Sequence, residues 1–198
     1  MGKLVTIIGP SGVGKTSLVN ALANTNQFGT AYEEHAERPF QILAKQDFRY
    51  TFANQMDYLI LRAEQERELR AAPRIGLMDG GLDLDFHGFT RLFLSRNLLS
   101  PNEFDLCRRF YHLTRELLPL PELIVRLKTD EETVAGRLSG RKRINIANAE
   151  DTAIFNSCLD EWLANVPSNQ LLELDVTNED ISYKQSIDII LDTIRNIL

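Results

Sequence analysis

Cysteine is nearly absent from this chain: Cys107 and Cys158 are the two in 198 residues. Their separation fits no metal-binding spacing, so they read as buried thiols in a reducing compartment. Long hydrophobic runs are missing as well. No apolar stretch approaches the ~20 residues a bilayer-spanning helix needs, and the N-terminus enters a strand with no signal-peptide core, so the cytoplasm is the expected location and no membrane partner is expected. Positive charge is in short supply. Lys and Arg number 22 against 28 Asp and Glu, for a net charge of −6, which argues against an extended nucleic-acid surface. Repeats, low-complexity tracts and linkers are also lacking. The length suits one domain over residues 1–198, able to bury about 70% of its unfolded surface.

The most informative stretch is Gly9-Pro10-Ser11-Gly12-Val13-Gly14-Lys15-Thr16. It has the form G-x-x-x-x-G-K-[ST], the phosphate-binding loop of nucleoside triphosphate enzymes. A β-branched apolar segment, Lys3-Leu4-Val5-Thr6-Ile7-Ile8, precedes it, and Ser17-Leu18-Val19-Asn20-Ala21-Leu22-Ala23 follows at helical spacing, which supplies the strand–loop–helix context the motif requires. Gly9, Gly12 and Gly14 let the backbone bend tightly and approach a phosphate closely. Ser11, Val13 and Ser17 complete the cradle of N–H groups at a helix N-terminus. Lys15 brings a mobile cation to the phosphates, and Thr16 offers a hydroxyl to Mg²⁺. ATP and Mg²⁺ are therefore the expected cofactors.

Further along, strand and helix patterns alternate. A second strand ends at Tyr32-Glu33-Glu34. Residues 40–69 contain no Gly or Pro and place Phe48, Phe52, Met56, Leu59 and Ala63 at helical steps, so one long helix is expected there. Ile75-Gly76-Leu77-Met78-Asp79 reads as a buried strand ending in an acid. Helices are expected over residues 86–99 and 101–118, a fourth strand over 122–127, a helix opened by Thr129-Asp130-Glu131-Glu132, another over 149–165, a fifth strand over 170–175 and a closing helix over 182–197. Such alternation predicts an α/β class, a three-layer α/β/α P-loop fold around a five-stranded parallel sheet.

Four further groups carry candidate chemistry. Asp79, at the tip of a buried strand, falls in the crevice where such folds bind ligands, and could hold Mg²⁺ or cap the next helix. Glu33 or Glu34 could take a proton from an attacking hydroxyl, or belong to a solvated loop. Arg137, Arg141, Lys142 and Arg143 form a cluster that could close as a lid, at about 137–150, over a triphosphate, or be a solvated face. Gln55, with Tyr58 and Arg62, could read a base edge, or be a surface glutamine.

On these residues the chain resembles the deoxynucleoside kinase family. The carriers are the P-loop, Tyr32-Glu33 leading to Arg38-Pro39-Phe40, the helix Phe52-Ala53-Asn54-Gln55-Met56-Asp57-Tyr58-Leu59-Ile60-Leu61-Arg62, and Pro121-Glu122-Leu123-Ile124. The resemblance implies ATP-dependent phosphoryl transfer to the 5′-hydroxyl of a (deoxy)nucleoside. By it Glu33 is the general base, with Glu34 the choice if the loop slips by one. Gln55 pairs with the base beside Tyr58, Arg62 and Asp79, and Arg137, Arg141 and Arg143 belong to the lid. Two departures stand out. The family's arginine after the third-strand acid is replaced in Asp79-Gly80-Gly81, with Arg91, Arg96, Arg108 or Arg109 as possible substitutes in space. The acid that follows the lid arginines is also missing, since Ile144-Asn145-Ile146 follows Arg143. Alternatives are a nucleoside monophosphate kinase, for which Arg49 and Arg62 would be the extra cations, and a nucleotide-binding regulator with little turnover. A nucleoside or nucleotide is the expected small-molecule partner, no nucleic acid is expected, and a homodimer is the assembly to test.

Overall fold

The structure is a computed structural model that describes residues 1–32, 38–130, 133–134 and 149–197. Strand β1 (Leu4–Ile8) is buried at every position and sits at the centre of the sheet. Beside it run β3 (Ile75–Asp79) and β4 (Leu123–Lys128), with β2 (Phe28–Ala31) and β5 (Leu171–Asp175) outermost. The order is β2-β3-β1-β4-β5, and every pairing is parallel. Parallel strands covered on both faces need apolar residues at successive positions, and the sequences LVTII and LIVRL supply them. The expected fold class is therefore correct.

The side-chain alternation of β1 divides the core. Val5 and Ile7 point to the face covered by α1 (Lys15–Ala23) and α7 (Lys184–Ile197), meeting Leu18, Val19, Leu22, Ile190 and Ile194. Leu4 and Ile8 serve the opposite face. There Leu4 packs with Leu69 and Met78, and Ile8 with Ile124, Phe155, Leu159 and Trp162. That second face is covered by α3 (Thr51–Ala71) and α6 (Ala149–Leu163), while α5 (Pro101–Leu117) packs on α3. Because β3 and β4 flank β1 on opposite sides, the crevice at the carboxyl end of β1 is a topological switch point, where ligands bind in open α/β sheets.

Two helix expectations need correction. The helix over 40–69 is broken into α2 (Pro39–Gln46), a single 3₁₀ turn (Phe48–Tyr50) and α3. The break is at Asp47, whose backbone is extended (φ −150°, ψ 113°) and whose carboxylate accepts from the Arg49 N–H. This local side-chain bond competes with the helix, which is why aspartate can end one without Gly or Pro. Phe48 consequently leaves the apolar face and is 66% exposed. The helix over 86–99 is also irregular. It starts as a short turn (Leu82–Leu84), widens into a π-helix (Asp85–Thr90) and ends as α4 (Arg91–Ser95), after which Asn97 takes a left-handed backbone (φ 55°). By contrast α5 begins as expected at Pro101, with Ser100 and Glu103 forming a reciprocal capping box.

Candidate active site

The phosphate loop joins β1 to α1. Gly14, immediately before the helix, has φ 110°, and Gly9 has φ 143°. Any side chain at Gly9 would stand 2.9 Å from the Leu127 carbonyl of β4, so the loop lies directly on the neighbouring strand. Lys15 folds back, and its Nζ donates to the Gly9 and Pro10 carbonyls at 2.9 Å each. This closes the loop around its own cation. Lys15, Thr16 and Ser17 remain half-buried, within reach of the crevice.

The sheet register brings Asp79 opposite Ile7, just before the loop, and the Gly80 N–H donates to the Ile7 carbonyl at 2.9 Å. There Thr16 Oγ1 donates to Asp79 Oδ2 at 2.5 Å. Asp79 is fully buried, and its second oxygen, Oδ1, has no hydrogen-bond partner among the described residues. A buried carboxylate oxygen with no partner calls for an explanation. A hydroxyl and a carboxylate oxygen meeting at the tip of a triphosphate loop fit a hard, oxygen-preferring cation. Thr16 and Asp79 are the residues able to hold one. Among the described residues no group of three or more His, Cys, Asp or Glu forms a self-sufficient metal cage.

The chain then turns through Gly80 (φ 81°) and Gly81 (φ 127°). In place of a side chain at position 80 comes the guanidinium of Arg62, whose Nη2 is 3.4 Å from where a Gly80 Cβ would stand. The four arginines expected as substitutes are engaged elsewhere or lie apart. Arg91 pairs with Glu161, Arg96 with Asp151 at 2.6 Å and Arg108 with Asp105 at 2.5 Å, while Arg109 is exposed on α5. Arg49 is outside as well, held to Asp47 at 2.6 Å with its side chain 79% exposed.

Arg62 and Gln55 are both buried on α3 and meet at one residue, Asp85. Arg62 Nε donates to the Asp85 carboxylate at 2.9 Å, and Gln55 Nε2 donates to the Asp85 backbone carbonyl at 3.0 Å and to Thr90 Oγ1 at 2.9 Å. Tyr58 is half-buried on the same helix. Glu33, Glu34, Arg137, Arg141, Lys142 and Arg143 lie outside the described residues. On the near side, Arg38 Nε reaches Asp57 at 2.6 Å, tying the start of α2 to α3 and holding the Asp57 carboxyl below the usual carboxylate range.

Two features were not read from the sequence. One is a chain of buried charges behind the site. Arg115 bridges Asp83 at 2.8 Å and Glu66 at 3.0 Å, Arg70 bridges Glu66 at 3.0 Å and Glu122 at 3.2 Å, and the Glu122 carboxylate accepts from the Leu4 N–H at 2.7 Å. Such pairs add little net stability, but breaking one strands a buried charge at a cost of about 3–5 kcal/mol. Together they fix α3 and the segment after Asp79 against β1. Charges on separate helices carry no sequence signal of such pairing. The other feature is a cleft of about 410 Å³ beside the loop, lined by Gly12, Gly14, Ser17, Glu179, Asp180, Ile181 and Tyr183. Its signal was an isoleucine in a polar turn after β5; Ile181 is 86% exposed.

Comparison with known proteins agrees with this geometry. The family model of deoxynucleoside kinases matches residues 5–198. A deoxyadenosine/deoxycytidine kinase of Bacillus subtilis is 21% identical over 201 residues, covering 98% of this chain and 93% of that one. A deoxyguanosine kinase of the same organism is 25% identical over 146 residues, covering 70% of this chain and 67% of that protein. The fold is shared with a deoxyadenosine kinase from M. mycoides solved with bound dCTP, at a TM-score of 0.78 and 18% identity, covering 98% of this chain and all of that one. The same kinase with bound dATP gives a TM-score of 0.77, at 20% identity over 97% of this chain and 99% of that one. The monophosphate-kinase and regulator readings are not favoured by these relatives. The chain belongs to the deoxynucleoside kinase family, and it is an ATP-dependent nucleoside kinase built on a P-loop.

Proposed function

We propose that this protein transfers the γ-phosphoryl group of ATP to the 5′-hydroxyl of a deoxynucleoside. The observation that carries the proposal is the meeting of Thr16 and Asp79 under the phosphate loop, with Asp79 Oδ1 buried and unpartnered among the described residues. The phosphates would lie on the N–H groups of Gly9 and residues 11–16, with Lys15 leaving its loop carbonyls to meet them. The donor base would rest in the cleft at Ile181. Thr16 and Asp79 would hold Mg²⁺, which when bound neutralises charge on the phosphates. Glu33 would accept the proton of the attacking hydroxyl, and Arg137, Arg141 and Arg143 would close over the transferring group. Phosphoryl transfer is loose and largely dissociative, so positioning and electrostatics do most of the work. Gln55, Tyr58 and Arg62 would hold the acceptor base.

The test is a panel of deoxynucleosides with ATP and Mg²⁺, run on wild type and Glu33→Gln. Turnover that falls roughly 10²–10⁴-fold in the variant, with ATP affinity little changed, is expected for loss of a general base. Loss in Glu34→Gln instead would move the base by one residue. A protein that binds ATP but phosphorylates no nucleoside would overturn the proposal.

The assembly we propose is a homodimer. Leu106, Leu113 and Leu117 are 47%, 58% and 69% exposed on α5, and with half-buried Phe110 they follow a heptad spacing. Arg109 and Glu116 lie along one side of that stripe, so an antiparallel two-fold pairing sets Arg109 of one protomer against Glu116 of its partner. Leu113→Glu should convert the dimer to monomer in sedimentation; a wild-type monomer would overturn this. Two buried, unpaired thiols suit the cytoplasm as its place of work. No helix among the described residues is long and apolar enough to cross a membrane.

A further inference from the structure

We infer that Gln65 is a positioning residue for phosphoryl transfer: it ties the carboxyl end of β2, from which the proposed base Glu33 follows, to the segment after Asp79. This rests on the proposed role of Glu33 as general base. β2 is the outermost strand on its side of the sheet, and its four residues end at Ala31, paired with Met78 of β3. Asp79 is the next residue of β3, and Tyr32 the next after β2. The ladder therefore ends before the proposed base, on a strand with a partner on one side only.

Gln65 supplies support from α3. Its Nε2 donates to the Tyr32 carbonyl at 3.3 Å, and its Oε1 accepts from Arg62 Nη1 at 3.1 Å. Arg62 in turn donates through Nε to the Asp85 carboxylate at 2.9 Å. One side-chain path thus runs from the end of β2 to the segment that follows Asp79. Its polarity is fixed at both ends of the amide. A guanidinium only donates, so Gln65 must turn its oxygen to Arg62. A backbone carbonyl only accepts, so the amide nitrogen must face Tyr32. Flipping the amide would set donor against donor at one end and acceptor against acceptor at the other. The helix that carries Gln65 is well seated: Leu69, one turn on, packs with Leu4, Met78 and Ala31.

The Tyr32 carbonyl is an effective atom to hold. A peptide unit is planar, so this oxygen and the nitrogen of residue 33 belong to one rigid group. A bond to the oxygen sets the direction in which the chain leaves β2. A general base works only within hydrogen-bond reach of the proton it takes. Misplacement by about 1 Å can cost on the order of a hundredfold in rate. The proposed base and the proposed cation ligand Asp79 follow from neighbouring strands, and Gln65 bridges the two beyond the point where their ladder stops.

The test is a cycle of Gln65→Met and Glu33→Gln, read in single turnover with ATP, Mg²⁺ and a deoxynucleoside so that product release does not mask the chemical step. Methionine keeps the length of the side chain and loses both hydrogen bonds. Alone it should slow transfer roughly ten- to a hundredfold, with ATP affinity near wild type. In the Glu33→Gln background it should cost little more, because the group being positioned is already gone. Gln65→Glu guards against a loss of fold in the first variant. Its carboxylate keeps the bond to Arg62 and sets an oxygen against the Tyr32 carbonyl, so it should stay folded and still lose rate. A wild-type rate in Gln65→Met or Gln65→Glu, with Glu33→Gln slow, overturns the inference and leaves the base standing. An equal factor from Gln65→Met in both backgrounds also overturns it, since Gln65 would then act through another group. A Glu33→Gln protein as fast as wild type removes the base itself, and both readings fall.

Discussion

Arg62, on α3, lies where a side chain at position 80 would begin, with Nη2 3.4 Å from the place of a Gly80 Cβ. The family motif carries an arginine after the third-strand acid; this chain has Gly80 there, with the guanidinium of Arg62 from α3 beside it. Gly80 is required by its backbone, since a Cβ there would meet Arg62 only in ordinary contact. With φ at 81° an alanine is strained by roughly 1–2 kcal/mol. Gly80→Ala should lower the melting temperature by several degrees and reduce kcat, through a shift of the turn that adjoins Asp79. A variant with wild-type stability and turnover would show that this backbone strain does not matter.

Lys15 illustrates how the structure changes an expectation. From the sequence, its partner is the ligand alone, so removing it should leave the fold untouched. In the protein, Nζ already bonds to the Gly9 and Pro10 carbonyls at 2.9 Å. Lys15→Ala should still abolish phosphoryl transfer. It should also open the loop and cost about 1 kcal/mol, the net worth of such hydrogen bonds. Calorimetry without nucleotide reads the second effect separately from the first, and full activity in the variant would defeat the P-loop assignment.

The division between what was legible and what was not follows from range. Lys15, Thr16 and the glycines sit in one contiguous motif, and the strand ending at Asp79 is one apolar run, so their meeting at the sheet's carboxyl end follows from the fold. Gln55 was visible as a residue able to read a base. Its fixed orientation was not, because Asp85 and Thr90 belong to a π-helix whose extra residue per turn leaves no mark in hydrophobic spacing. Arg62 likewise gave no sign that its guanidinium would lie beside Gly80. The break at Asp47 was hidden for a related reason: one side-chain bond to the Arg49 N–H outweighs a spacing that continues through it.

His87 supplies a pH prediction. Its ring stacks on Trp162 at 4.8 Å, and its Nε2 meets the Tyr111 hydroxyl at 3.0 Å, which itself donates to Asp83 at 2.8 Å. That order makes neutral His87 the donor to Tyr111. Burial lowers its pKa from 6.5 to about 4, against the opposing pull of Asp83. The folded protein therefore binds fewer protons than the unfolded chain between those two values. Stability from this group is fully present above about pH 6.5 and is lost as pH falls toward 4, by up to about 3 kcal/mol. Denaturant titrations across that window should show the slope, and His87→Gln should flatten it. An equal slope in both proteins would place the titration elsewhere.

Gly88 is the tightest contact among the described glycines, and its replacement tests the frame around Gln55 most directly. An added Cβ would meet Phe155 Cε2 at 2.4 Å and Cζ at 2.6 Å, distances at which something must move. Phe155 is buried on α6, packed with Ile8, Leu92 and Trp162, so the ring has no free space to enter. Overpacking of this kind costs roughly 1–3 kcal/mol. Gly88→Ala should accordingly lower the melting temperature by about 2–4 °C for each of those kcal/mol in a chain of this size. The strain also has a direction. Pushing the π-helix away from α6 displaces Asp85 and Thr90, and with them both acceptors of the Gln55 amide. Substrate KM should therefore rise along with the loss of stability, while ATP binding at the distant loop stays near wild type. Phe155→Leu trims the ring at the point of collision, so in the double variant part of both losses should be recovered, giving a coupling of 0.5 kcal/mol or more, on the order expected for residues in contact. Strictly additive effects of the two substitutions would mean that the π-helix yields without transmitting the strain to the Gln55 amide.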